Sequence, residues 1–328
     1  MVLACACTAA AAQETTLRIA TFNAELIRKG PGLLLRDILK GEDPQIAAFK
    51  SAMRQVRPDI IALQGIDYDL RRTALRALID DLAKEGLIYP HYFAAAPNAG
   101  QDSGLDMNGN GQLGDADDAY GYGRFNGMGA MAVLSRFPIQ QDAIEDYSTL
   151  LWRDLPNHLY PMENGRPFAG NAVFSAHRLS SRGHWVVPIS TPQFGMMRLM
   201  TYHATPPLYD GPEDRNGRRN HDETAFWLNY LTRDDNPSPF VLAGTPNTDP
   251  ERGSGRSEAI NRLLAHSKLQ NPFDNSPTAD FKEPLPGDLR VDYLLPSIDW
   301  QILRHGTLRV PDASRHSLLW IDITPRNP

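Results

Sequence analysis

The chain has 328 residues, 41% hydrophobic and 22% charged, the balance of a globular protein with room for one large domain or two small ones. A formal net charge of −6 argues against tight non-specific binding to nucleic acid, which needs a basic face. No apolar run approaches the roughly 18 residues that a membrane-spanning helix needs.

Residues 1–12 are small and apolar with no basic n-region, and read as the tail of an export signal ending near residue 14. Val2-Leu-Ala-Cys5 also fits a lipoprotein-type cleavage site, which would anchor the protein to a membrane through Cys5; a plain disordered apolar N-terminus stays open as the alternative. Both cysteines, Cys5 and Cys7, lie in this segment, so the body from residue 15 onward can form neither an intrachain disulfide nor a thiolate metal site.

Short apolar runs bounded by turn residues predict strands at 17–23, 60–63, 131–134, 186–189, 199–203, 240–243, 291–294 and 318–323. Ile46, Phe49, Met53 and Val56 recur at helical spacing behind Pro44, predicting a helix over 45–57. Further helices are expected at 70–84, 222–232 and 258–266. Two stretches rich in Gly, Pro, Asn and Asp, 97–129 and 272–287, read as long surface loops.

The first of these loops contains Asp106-Met-Asn108-Gly-Asn110-Gly111-Gln112-Leu113 and, further on, Asp117. This is the spacing of an EF-hand-type calcium loop, with oxygen side chains at positions one, three and five, Gly at six and an acid at twelve. Asp106, Asn108, Asn110, Gln112 and Asp117 are the expected Ca²⁺ ligands, pinning the insertion; the alternative is a solvated polar loop. Segment 205–223 gathers Arg215, Arg218, Arg219 and His221 shortly after His203. It is read either as a phosphate-facing rim or, favoured by the interleaved Glu213, Asp214 and Asp222, as a loop knitted by ion pairs.

Four segments fall into one pattern: Leu17-Arg-Ile-Ala-Thr-Phe-Asn23, Pro58-Asp-Ile-Ile-Ala-Leu-Gln-Gly65, Ala243-Gly-Thr-Pro-Asn247 and Ala313-Ser-Arg-His316. In order and rough spacing they resemble the motifs of the endonuclease/exonuclease/phosphatase superfamily, the DNase I-like fold. The resemblance extends to a sub-group of exported bacterial members through segment 205–223, Arg178-Leu-Ser-Ser and His184-Trp185. It implies an α+β fold, a four-layer αββα sandwich of two packed mixed sheets flanked by helices, forming a single domain over 15–328.

It also implies metal-dependent hydrolysis of phosphate esters, with Asn23, His203, Asn247 and an Asp292–His316 pair as the matching site residues. Such a pair fixes the imidazole's tautomer and raises its basicity. The family's second motif ends in Glu, the third reads Gly-Asp-Xaa-Asn and the fourth Ser-Asp-His. Here Gly65, Thr245 and Arg315 stand at those three acids.

Exchanging three carboxylates for one guanidinium disfavours Mg²⁺ or Mn²⁺, which need oxygen ligands. One charge at about 4 Å is worth roughly 4 kcal/mol even at an effective dielectric of about 20. The expectation is an exported phosphoesterase-family protein with catalysis lost or weak. A phosphate pocket would be retained among Arg315, His203, His316 and Asn247. An active phosphoesterase or nuclease using Asp67 and Asp249 as substitute ligands, and a calcium-stabilised binding module without catalysis, are the alternatives.

Overall fold

A computed structural model describes residues 16–192, 194–233, 239–282 and 286–326. The expected leader over residues 1–14, with Cys5 and Cys7, lies outside the described residues. Along the chain, strand β1 (Leu17–Leu26) is followed by helices α1 (Leu33–Lys40) and α2 (Pro44–Val56), β2 (Ile60–Ile66), α3 (Thr73–Lys84), β3 (His91–Phe93) and β4 (Ala130–Ser135). Next come β5 (Glu145–Asp146), a small hairpin of β6 (Met162–Glu163) and β7 (Arg166–Pro167), α4 (Gly170–Ala176), β8 (His184–Thr191) and β9 (Gly195–His203). Helix α5 (Arg215–Leu231), β10 (Phe240–Thr245) and α6 (Glu258–Leu264) lead to a hairpin of β11 (Ala279–Phe281) and β12 (Gly287–Leu289). The chain closes with β13 (Tyr293–Pro296), β14 (Trp300–Leu308) and β15 (Leu318–Pro325).

Two sheets carry the architecture. The first runs β14-β15-β1-β2-β4-β3 and the second β13-β10-β9-β8-β5, each mixing parallel and antiparallel neighbours. Side-chain alternation along each strand decides which face is which. On β1, Leu17 and Ile19 point into a core shared with Ile60, Ala62, Val187, Leu199, Val241, Leu294 and Ile321 of both sheets. The alternate residues Ala20, Phe22, Ala24 and Leu26 pack against Phe49 and Met53 of α2 and Leu75 and Leu78 of α3. Behind the second sheet, Met200, Tyr202 and Leu242 pack on Trp227 and Leu231 of α5 and Ile260 of α6. The layers therefore run helix, sheet, sheet, helix, as the sequence resemblance implies.

Helix α2 starts where expected, with Asp43 accepting the Ile46 amide 3.0 Å away and Pro44 at its first turn. Other bounds differ. Helix α5 begins at Arg215, ahead of the expected 222, because the polar residues of its first turns are buried against the insertion and no apolar stripe marks them. Neither α1 nor β14 was expected; β14 is an edge strand with mostly exposed side chains, so it lacks a strong apolar pattern.

The 97–129 insertion has almost no regular structure, yet side chains of the second sheet's surroundings hold it. Arg219 donates to the carbonyls of Tyr120, Arg178, Leu179 and Ser180, and Arg215 to that of Met107. Asn98 donates to Ser148 and Ser180, and Arg178 to the side chains of Asn98 and Gln101. Segment 205–223 is thus not a loop knitted by ion pairs: its arginines mainly satisfy backbone carbonyls.

Candidate active site

The same alternation that builds the inter-sheet core turns polar at one end of the sandwich. Continuing β1 inward past Leu17 and Ile19 gives Thr21 and Asn23, and β2 gives Gln64 after Ile60 and Ala62. On the second sheet, β9 gives Thr201 and His203 after Leu199, and β10 gives Thr245 after Val241 and Ala243. Thr21 lies 3.1 Å from Gln64, whose amide reaches across the sandwich to within 3.5 Å of Thr201. His203 and Thr245 are direct neighbours in the parallel β9–β10 register.

The sequence-expected residues meet here. His316 Nδ1 and Asp292 Oδ2 are 2.8 Å apart, both buried, and the other ring nitrogen is 3.5 Å from the Asn23 amide nitrogen. Asp292 also accepts from Thr245 at 2.6 Å and Thr278 at 3.0 Å. Thr245, at a position where the family pattern has an acid, thus serves to hold Asp292. Asn247 takes a left-handed backbone at φ 58° and donates its side-chain amide to Ala204, next to His203.

The two histidines are tuned in opposite directions. Burial pulls the His316 imidazole down, but the Asp292 carboxylate, by charge and by hydrogen bond, outweighs it and leaves the pKa raised. For His203, burial, the Arg182 charge and His316 all act together and hold it well below its usual value. One imidazole is therefore favoured as a cation and the other as a neutral ring, the separation that divides charge stabilisation from proton exchange. Asn23 Oδ1 and His203 Nδ1 are buried with no hydrogen-bond partner among the described residues, Asn23 Oδ1 being turned toward Gly65.

Three expectations need correction. Arg315 is not a free phosphate donor: its Nε donates to Glu25 Oε1 at 2.9 Å, its Nη2 pairs with the same oxygen and its amide with Glu25 Oε2. Glu25, which no motif marked, therefore restores one negative charge beside Gly65. Burial would raise its pKa, yet the Arg315 contacts and the charge of His316 carry it below the usual carboxylate value.

The proposed substitute ligands are committed elsewhere. Asp67 accepts the Arg28 and Gly129 amides at 2.7 and 3.0 Å, and Asp249 accepts those of Glu251, Arg252 and Arg290. Two residues past Gly65, Asp67 would share that residue's face if β2 alternated without interruption, but the register shifts between Gln64 and Ile66 and the alternation is lost.

Finally, the twelfth position of the calcium-type loop points away. Asp117 lies 3.6 Å from Arg215, and its pKa is raised by burial against that cation's pull. It is Asp115 that faces Asn108 and Asn110, while Asp106 accepts the Asn110 and Gly111 amides at 3.0 and 2.8 Å. Gln112 takes part through its amide, which donates to Asn110 Oδ1.

The donor set does not fit the divalent metal that the family implies. Asp292 is spent on His316 and two threonines, and Glu25 on Arg315. Among the described residues no group of three or more His, Cys, Asp or Glu side chains is arranged to hold an ion. Gly65 bears on this directly. It sits at φ +69°, and a Cβ there would lie 2.5 Å from Asn23 Oδ1 and 3.1 Å from the Glu25 amide. Asn23 and the Glu25 backbone have closed over the space that an acid at residue 65 would need.

Solved structures with the same fold are numerous. An endonuclease/exonuclease/phosphatase from Beutenbergia cavernae superposes with a TM-score of 0.61 at 17% identity, covering 94% of this chain and 72% of that one. A family protein from Leptotrichia buccalis gives 0.54 at 16%, covering 94% and 99%. The human nocturnin catalytic domain with bound sulfate anion gives 0.52 at 13%, covering 94% of each chain. No curated protein matches by sequence. The sequence profile of the endonuclease/exonuclease/phosphatase family matches residues 20–316, nearly the whole chain, and the protein belongs to that family of phosphoester hydrolases.

Proposed function

We propose that the cleft binds the phosphate group of an ester and that metal-dependent hydrolysis is suppressed. The observation carrying this reading is the pairing pattern at the floor. Asp292 favours the protonated form of His316 beside Asn23, while Glu25 is neutralised by Arg315. An imidazolium, two amides and a neutral histidine form a fitting set of donors and acceptors for a tetrahedral anion. The same set lacks the carboxylate oxygens that octahedral Mg²⁺ requires.

Titration calorimetry with inorganic phosphate in the presence of a chelator tests it. Binding is expected without metal and is expected to weaken at least tenfold in His316→Ala. Hydrolysis of bis(p-nitrophenyl) phosphate with Mg²⁺ or Mn²⁺ is expected at the buffer rate. Absence of phosphate binding both with the chelator and with Mg²⁺ ends the reading.

A second reading is favoured by one contact: the Glu25 backbone lies against the position a side chain at 65 would take. Glu25 could then act as a relocated ligand in an enzyme whose metal site forms only when Arg315 is displaced. We also propose that the insertion holds Ca²⁺ weakly through Asp106, Asn108, Asn110 and Asp115, supported by the convergence of these side chains, and that the protein is exported.

A further inference from the structure

We propose that the cavity beside His203 receives the organic part of the phosphate ester, and that this part is an apolar body bearing a second acidic group. This rests on the phosphate-binding reading above. The cavity, about 540 Å³, opens between the 97–129 insertion and the segment joining β9 to α5. That volume lies within the range of sites for small organic molecules, roughly 300–1,000 Å³, and far exceeds what inorganic phosphate fills.

It adjoins the polar floor through two lining residues. Thr205 stands two positions past His203, and Arg182 is close enough for its charge to depress the His203 imidazole. Arg182 Nε also lies 3.8 Å from the space above Gly129, beside Ile27 where β1 runs out.

The lining is of two kinds. Met107, Met128, Tyr122 and Leu208 offer apolar and aromatic surface suited to a hydrocarbon or aryl body. Arg182, Arg215 and Arg219 supply three cations against one lining acid, Asp117. Glu223 behind the Thr205 wall, which accepts the Ser181 and Thr205 amides, offsets one more, so positive charge remains in excess.

Two buried polar atoms on the lining residues have no partner among the described residues: Arg182 Nε and His177 Nδ1. Both atoms are shielded from solvent, so neither meets a ligand directly; it is the excess of guanidinium charge along an otherwise apolar wall that points to a carboxylate or a second phosphate as the acidic group. Arg219 is engaged by four carbonyls and contributes its charge; Arg215 donates to one, that of Met107, and lies 3.6 Å from Asp117.

Calorimetry with two separate probes tests the proposal without requiring one compound to span both subsites. The first is 4-phenylbutyrate, an apolar body with an acid and no phosphate; the second is inorganic phosphate. The expected result is that 4-phenylbutyrate binds, that its affinity falls at least tenfold in Arg215→Gln and in Ala119→Trp, which fills the cavity, and that phosphate affinity is unchanged in Ala119→Trp. 4-Phenylbutanol, with the same body and no acid, is expected to bind at least tenfold more weakly than the acid.

Equal affinity for acid and alcohol, no binding of either, or binding of the acid that survives both substitutions in folded protein overturns the proposal. Should 4-phenylbutyrate bind as expected while phosphate does not, the phosphate reading fails and the acid-binding cavity stands. Should phosphate bind and 4-phenylbutyrate not, the cavity proposal alone fails. Melting temperatures of both variants establish that they are folded.

Discussion

Replacing Asp292 with Asn separates charge from shape at the centre of the floor. Both partners are buried, Asp292 at 1% and His316 at 3% exposure, and their contact is 2.8 Å. In the wild-type protein the Asp292 carboxylate raises the His316 pKa above the ordinary imidazole value of 6.5, so the pair's contribution is fully present below pH 6.5 and is lost as pH rises through the folded value. In Asp292→Asn only the Glu25 charge still opposes burial, and Arg315 counters it. The folded pKa then drops below 6.5, and stability is lost as pH falls. The two effects add on the acid side.

Removing one partner of a buried ion pair costs about 3–5 kcal/mol, consistent with roughly 4 kcal/mol for unit charges at about 4 Å and an effective dielectric of about 20. Where His316 is neutral in both proteins, the loss shrinks to about 1 kcal/mol for one exchanged hydrogen bond. Urea unfolding followed by tryptophan fluorescence at about pH 5.5 and about pH 9 should show a destabilisation larger by about 2–4 kcal/mol at the lower pH. An equal cost at both, or a larger one in alkali, refutes the assignment of His316 as the cation.

Restoring the family acids should fail at residue 65: Gly65→Glu, and Gly65→Ala as the minimal case, should each lose about 1–3 kcal/mol in urea unfolding because the backbone is left-handed and a Cβ meets Asn23. Arg315→Ala should cost at most about 1 kcal/mol, since that side chain is 52% exposed, yet free the Glu25 carboxylate; a measurable gain in Mn²⁺ affinity by calorimetry would favour the relocated-ligand reading, and no gain would remove it. Millimolar Ca²⁺ should raise the melting temperature of the wild type and of Asp117→Ala but not of Asp106→Ala, because Asp117 faces Arg215; an unchanged wild-type curve would dismiss the calcium loop. His184, which burial and the nearby Arg219 charge push down to about 4 against the Glu223 carbonyl's pull, should make wild-type stability fall from pH 6.5 toward pH 4, with a shallower slope in His184→Gln.

Much of the site was legible through the family resemblance, and strict strand alternation is the physical reason why several of the matched positions converge. Once Leu17 and Ile19 are inward, Thr21 and Asn23 follow, and the same parity carries Val241 and Ala243 to Thr245. What escaped lies where alternation or locality breaks. Gly65 interrupts β2 with a register shift, so Asp67 could not be placed by counting. Glu25 meets Arg315 from 290 positions away, and no local pattern announces that pairing. The opening turns of α5 are polar and buried, the inverse of the amphipathic signal by which helices are read.

The hold that Arg219 and Arg215 keep on backbone oxygens of the insertion, and Arg178 on the side chains of Asn98 and Gln101, bears on how this protein can be edited. Excising residues 97–129 to obtain a trimmed scaffold would strand guanidinium groups beneath the second sheet, each having lost acceptors it cannot replace with water. Nor could the segment be grafted onto a relative that lacks those arginines. The insertion behaves as a keystone: engineering can alter its exposed tip around Gly111, but the span as a whole and the start of α5 have to be kept or discarded together.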